Sequence, residues 1–227
     1  MSAAPSPEAR QIRGVILDFG GVMTEPVFRR PRDLAPELIE LGVFFLREAA
    51  EVYHHLEATH DLHLLETGKM SEATFFVRLC DRFAAAGYPR VDPAVARAAI
   101  VGRGIVACGA MVDAAREIHD AGYRTALLTN NAREWESQWR SLIPVDELFD
   151  VVVDSSAVGM RKPDPAIYRL TCDRMGIMPP QCVFVDDMAC NVDTARELGM
   201  EAVLCDDAVA VAAALRRRLL PARSSDS

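Results

Sequence analysis

The sequence predicts an α/β fold built on a parallel sheet, with a helical segment inserted after the first strand. Three observations carry this expectation. From about Arg103 onward, stretches of helical spacing alternate with short apolar runs, the pattern of right-handed βαβ units. Near the N-terminus the run Val15 to Leu17 stops at Asp18 and passes into Gly20-Gly21, as a buried strand ends at a turn. Between these regions, from about Glu25 to Gly102, the chain is helical in character and offers no convincing strand.

The elements can be justified in turn. Val15 to Leu17, Thr125 to Leu128, Val151 to Val153, Val183 to Val185 and Ala202 to Leu204 are apolar runs of strand length. Met111 to Ala121, Ala132 to Leu142, Pro165 to Met175 and Asn191 to Leu198 have helical spacing. In the insertion, Leu38 to Leu56 and Glu72 to Ala86 do the same; Ser71 is placed to cap the second, and Gly87-Tyr88-Pro89 to end it. The expected division is a core of residues 1–25 and 103–227 and a helical cap of residues 26–102. Hinges are expected near Glu25-Pro26 and Gly102 to Gly104, and a frayed tail over Ala222 to Ser227.

Composition narrows the function. With a net charge of −8, the chain lacks the basic surface that nucleic acid or an anionic membrane requires. Cys80, Cys108, Cys172, Cys182, Cys190 and Cys205 are scattered without a CxxC pair, so neither a disulfide framework nor a zinc site is expected. No leader is evident in MSAAPSPEAR, and no window approaches the about 18 apolar residues of a membrane span. These features predict a soluble protein of a reducing, cytoplasmic setting; a monomer and a homodimer stay equally open. Of the 25 basic residues only Lys69 and Lys162 are lysines. A chain that uses Arg almost everywhere else has a reason to keep a compact ammonium where it keeps one.

Four strand ends carry polar residues that make chemical sense together. Asp18 follows the first run, where reacting groups gather in open α/β sheets. Thr129-Asn130-Asn131 follow the second and suit phosphate oxygens, although a helix cap explains Thr129 or Asn131 equally well. Asp154-Ser155-Ser156 and then Gly159-Met160-Arg161-Lys162-Pro163-Asp164-Pro165 follow the third, placing Lys162 just before a Pro-started helix. Asp186-Asp187 close the fourth. Two adjacent acids raise one another's pKa unless a cation compensates, and Mg²⁺ is the hard, oxygen-seeking ion suited to that role.

With those residues in that order, the chain resembles the haloacid dehalogenase (HAD) superfamily, whose core is a Rossmann-like parallel sheet with a helical cap after the first strand. Asp18, Thr129-Asn130, Lys162-Pro163 and Asp186-Asp187 match its four signatures. The cap segment Glu66-Thr67-Gly68-Lys69-Met70-Ser71-Glu72, followed by Phe75-Phe76, further resembles the sugar-1-phosphate phosphatases and the N-terminal phosphatase domain of soluble epoxide hydrolases. The resemblance implies a Mg²⁺-dependent phosphatase acting on a small phosphorylated metabolite, a sugar or nucleotide phosphate. Asp18 would be the nucleophile that becomes an aspartyl phosphate. Mg²⁺ would be held by Asp18, the Gly20 carbonyl, Asp186 and Asp187. Lys162 would neutralise charge, and Thr129, Asn130 and Gly21 would bind phosphate oxygens.

One position departs from the pattern. Most phosphatases of the superfamily carry an acid two residues after the nucleophile, where this chain has Gly20. General acid-base help contributes about 10²- to 10⁴-fold, so its source has to be sought elsewhere. His54, His55, His60, Asp61, His63 and Glu66 of the cap are candidates, each also readable as part of a solvated polar face. Trp135 and Trp139 read as packing residues, and Lys69, in its Gly-Lys-Met-Ser turn, as a solvent-facing group. The competing expectations are a metal-independent 2-haloacid dehalogenase, which also dispenses with the second acid, and a catalytically weak phospholigand-binding regulator.

Overall fold

The computed structural model describes residues 11–25, 34–53, 60–101 and 105–220. Pro26, His54, His55, Leu56, Gly102, Gly104 and the expected tail lie outside these residues. Five parallel strands form one sheet: β1 (Gly14–Leu17), β2 (Arg124–Thr129), β3 (Val151–Asp154), β4 (Cys182–Asp186) and β5 (Glu201–Leu204), in the order β3-β2-β1-β4-β5. The helices are α1 (Pro36–Val52), α2 (Asp61–Glu66), α3 (Glu72–Ala85), α4 (Pro93–Ile100), α5 (Gly109–Asp120), α6 (Glu136–Arg140), α7 (Val145–Leu148), α8 (Ser155–Val158), α9 (Pro165–Met175), α10 (Ala189–Glu197) and α11 (Ala208–Leu219).

The middles of the central strands, Val15–Leu17, Ala126–Leu128 and Val183–Val185, are apolar on both sides because the sheet is covered on both faces. Val15 and Leu17, Leu127, and Val183 and Val185 pack in one layer with Met111 and Ile118 of α5 and Val211 and Leu215 of α11. Ile16, Ala126, Leu128 and Phe184 point the other way, onto Ile167, Tyr168 and Cys172 of α9 and Ala195 of α10. This two-residue alternation ties register to function. Leu17 pairs with Leu127 on one side and Val185 on the other, and Thr129 pairs with Asp154. The polar residues that follow each strand therefore emerge along one edge of the sheet. The order of strands reverses direction at β1, between β2 and β4, so the edge opens where ligands bind in such sheets.

The described residues between β1 and α5 hold α1 to α4 and no strand. Their amphipathic faces bury a core of their own, with Phe75, Phe76, Leu79 and Phe83 of α3 at its centre, Leu41, Leu62, Leu65 and Ala96 around them, and Ala132 joining from the sheet side. Ser71 caps α3 as expected, its hydroxyl accepting from the Thr74 N–H at 3.3 Å. Where the chain leaves and re-enters the sheet layer, Thr24 and Ala107 form an antiparallel bridge, and the Glu25 N–H donates to the Val106 carbonyl at 2.8 Å.

Some elements differ from expectation. The stretch Ala132 to Leu142 is not one helix but a 3₁₀ turn, Arg133–Trp135, followed by the short α6. Its two tryptophans serve different layers: Trp139 packs on Phe19 in the sheet core, with ring centroids 5.4 Å apart, while the Trp135 Nε1–H donates to Glu72 of the cap. α2, α4, α7, α8 and α11 were not expected; the first four are only 6, 8, 4 and 4 residues long, too short for periodicity to stand out.

Candidate functional site

The turn after β1 begins the site. Gly21 sits at φ 71°, and a Cβ there would stand 2.3 Å from Asp187 Oδ2, so only glycine allows this turn to pass against the acid. The Gly21 N–H donates to Thr24 Oγ1 at 3.1 Å. Gly20 lies in the cavity wall beside Asp18. Asp18 itself is buried, its backbone N–H held by the Val185 carbonyl at 2.9 Å.

Lys162 links the strand ends. Its ammonium is fully buried and lies 2.7 Å from Asp18 Oδ1 and 2.6 Å from Asp186 Oδ2, and it donates to the Leu128 carbonyl at 2.9 Å. The other oxygen of Asp186 accepts from the Met188 N–H and from Asn191 Nδ2, at 2.8 and 2.9 Å. Asn130 holds the Lys162 peptide from both sides: its Oδ1 accepts from the Lys162 N–H at 2.8 Å, and its Nδ2 donates to the Lys162 carbonyl at 2.9 Å and to Tyr53 Oη at 3.0 Å. Thr129 is buried at the end of β2, in the same cavity wall.

Three carboxylates thus face one ammonium. Ligand oxygens of Asp18, Asp186 and Asp187 lie within 4.8 Å of one another. Burial, joined by repulsion from Asp186 and Asp187 and opposed by Lys162, pushes Asp18 up to about 8. Asp187 reaches solvent, yet enclosure by the surrounding protein, then repulsion from Asp186, raises it to about 6. Burial works against the charged form of Lys162, but Asp18 and Asp186 outweigh it and keep its pKa above the ordinary lysine value. With every acid ionised the cluster carries a surplus of two negative charges. An all-oxygen donor set with that surplus fits a hard divalent cation such as Mg²⁺.

Above this floor a cavity of about 530 Å³ reaches up to the helical layer. Phe45, Leu46, Leu65, Phe75, Phe76 and Ile100 line its upper part. Trp135 and Trp139 pack as expected and also form part of its wall. Of the cap candidates, Glu66 reaches the cavity; burial raises its pKa despite the Arg161 Nε–H donated to it at 2.6 Å. His60 instead caps α2, its Nδ1 accepting from the Leu62 N–H, and Asp61 pairs with Arg78 and Arg82. His63 is buried in α2, outside the cavity wall, and Lys69 is exposed.

Two contributors were not singled out from sequence. Tyr53, at the end of α1, meets Asn130, and its ring lies 4.5 Å from the Arg161 guanidinium. Ser155 donates its hydroxyl to the Glu66 carbonyl at 2.6 Å, tying the two layers together. Adjacency to Lys162 was the one available signal for Arg161, and a place among the polar residues after the third strand the one for Ser155; nothing local marks Tyr53.

Fold and site together define a hydrolase of the haloacid dehalogenase type, and a profile of the haloacid dehalogenase-like hydrolases matches residues 12–199. The chain belongs to that family. It is 36% identical over 101 residues to bifunctional epoxide hydrolase 2 of Sus scrofa, an overlap of 43% of this chain and 18% of that protein. It is 36% identical over 96 residues to phosphatase MT3486 of Mycobacterium tuberculosis (strain CDC 1551 / Oshkosh), covering 41% of this chain and 43% of the relative. The chain therefore spans less than half the length of these relatives. Its fold matches the crystal structure of the HAD family enzyme bt-2542 of Bacteroides thetaiotaomicron, solved in complex with magnesium and inorganic phosphate. The TM-score is 0.60 at 21% identity, over 85% of this chain and 93% of the other. Among the described residues no helix is long and apolar enough to cross a membrane.

Proposed function

We propose that the protein is a Mg²⁺-dependent phosphomonoesterase in which Asp18 is the nucleophile, residues 26–102 forming a cap over a core of residues 1–25 and 103–227. The observation that carries this reading is the Lys162 ammonium held within 2.7 Å of both Asp18 and Asp186, at the floor of a cavity and beside a third acid. Phosphoryl transfer asks mainly for in-line positioning and charge stabilisation, and this cluster offers both.

Asp18, Asp186, Asp187 and the Gly20 carbonyl would hold Mg²⁺, which when bound screens the carboxylates and the phosphoryl oxygens from one another. An Asp18 oxygen attacks phosphorus and the bond to the substrate alcohol breaks, leaving an aspartyl phosphate; water then hydrolyses it to inorganic phosphate and free Asp18. Lys162 balances charge between Asp18 and the phosphoryl group, Asn130 fixes the peptide that carries Lys162, and the Thr129 hydroxyl faces the phosphate. Gly20 supplies no acid. Glu66, the cavity-wall acid whose protonated form burial favours, is the candidate donor to the leaving oxygen.

The test is phosphate release from phenyl phosphate by the full chain, with Mg²⁺ or with a chelator, beside Asp18→Asn. Release that needs both Mg²⁺ and Asp18 is expected; no release, or release indifferent to Asp18→Asn, would sink the reading. The family's own name and the missing acid at position 20 favour a second reading, 2-haloacid dehalogenation. Halide release without Mg²⁺ would put it first.

A further inference from the structure

The upper cavity is built for an apolar group. Its wall is made largely of aromatic and aliphatic side chains from α1, α2 and α3, joined by Ile100 of α4. Most of the polar atoms there already have protein partners, although Trp139 Nε1 has none among the described residues. Tyr53 Oη accepts from Asn130, Glu66 accepts from Arg161, the Trp135 Nε1–H donates to Glu72, and Asn131 Oδ1 accepts from the Ala132 N–H at 3.0 Å. A sugar or nucleoside entering this space would bury several hydroxyls and ring nitrogens with few matching groups, and each unmatched one lowers affinity by about 5- to 150-fold. An alkyl or isoprenoid-like chain faces no such penalty and gains from every carbon removed from water.

We infer that the substrate is the phosphate monoester of an apolar alcohol, its phosphate at the Asp18–Lys162 floor and its hydrocarbon in the cavity lined by Phe45, Leu65, Phe75 and Phe76. This rests on the phosphomonoesterase reading and narrows it away from the sugar or nucleotide phosphate that the sequence suggested. The cavity is continuous with the charged floor, so one molecule with an anionic head and an apolar body satisfies both ends. Selection among monoesters then follows chain length, because the phosphate contacts are common to all.

The experiment measures kcat/KM for butyl, hexyl and octyl phosphate beside glycerol phosphate, glucose 1-phosphate and adenosine monophosphate, with Mg²⁺ and the full chain. Each buried methylene raises kcat/KM by up to about fourfold (about 0.8 kcal/mol), so octyl exceeds butyl by up to about 250-fold. Leu46→Asp, a change at the 38% exposed cavity mouth that spares the buried core, flattens that slope. A flat series, a polar ester cleaved best, or a slope untouched by Leu46→Asp overturns the inference. If phenyl phosphate is still cleaved in that case, the phosphatase reading stands alone. If no ester is cleaved, the phosphatase reading falls, and calorimetric binding of butyl- and octylphosphonate decides the cavity's chemistry separately. Tighter binding of the octyl compound supports an apolar occupant; equal binding overturns it.

Discussion

The floor and the roof of the cavity are built from opposite materials. The floor is a set of charges on strand ends, fixed by backbone register and by short hydrogen bonds: Lys162 touches Asp18, Asp186 and the Leu128 carbonyl at once. The roof is a set of helices joined by aromatic contacts, such as Phe45 against Phe75 and Phe44 against Phe83, with ring centroids 6.0 and 5.4 Å apart. Electrostatic chemistry requires groups that do not reorganise, and a sheet edge buried on both faces supplies them. Shape selection needs only apolar area at the right distance, which side-chain packing on helices provides. The contrast teaches that the two halves of one site obey different rules, so damage to each should read out differently.

The sharpest way to break the contrast is Asp18→Asn. If the floor performs the chemistry, phosphate release falls by about 10⁴-fold or more, while thermal melting shows no loss of fold, since one of three repelling acids has been neutralised. A Tm that collapses with activity would make Asp18 structural instead. Lys162→Met comes next. It leaves Asp18 and Asp186 buried without their cation, and removing one partner of a buried pair costs about 3–5 kcal/mol; urea unfolding measures it, and a loss below about 1 kcal/mol would contradict the geometry described for this pair.

Mg²⁺ probes the same charges reversibly. Asp18 and Asp187 have pKa values raised in the fold, to about 8 and about 6, so the folded apoprotein holds protons that the unfolded chain has lost. Their contribution to stability is present below the unfolded carboxylate range and drains away as pH rises towards 8. If Mg²⁺ is held by the ionised acids as proposed, its stabilising effect grows from pH 5 to pH 8, reaching about 2.7 kcal/mol when its concentration is 100 times Kd. A Tm increment that is flat or falls with pH would place the ion elsewhere.

Two smaller substitutions sharpen the division. Gly21→Ala forces a side chain at φ 71° into Asp187 and costs about 1–3 kcal/mol, with a larger loss of Mg²⁺ response than of stability. Ser71→Ala removes only the α3 cap in the roof, about 1 kcal/mol, and denaturant titration should show it without any change in Mg²⁺ response. If the two variants behave alike, floor and roof are not separable.

Legibility followed the same division. Asp18, Lys162, Asp186 and Asp187 stood out because each breaks an apolar run or a compositional habit, signals that live within a few residues of the chain. The site roles of Asn130 and Tyr53 did not stand out in the same way. Asn130 reads as a phosphate-binding amide from its position, yet its amide is engaged with the peptide of a residue 32 positions away and with Tyr53. The stretch Ala132 to Leu142 misled because its two tryptophans are drawn to different layers, which helical spacing alone does not reveal. Glu66 was one of six cap candidates until tertiary contact put it, and neither His60 nor Asp61, in the cavity wall.

By itself the sequence determined the parallel sheet and the charged residues at its edge, because apolar runs of strand length and the polar residues that end them are local features. Only the tertiary structure decided what the roof is made of and which polar groups are already engaged. Cavity walls are assembled from helices far apart in the chain, and the free or occupied state of a side chain depends on partners that no local pattern names.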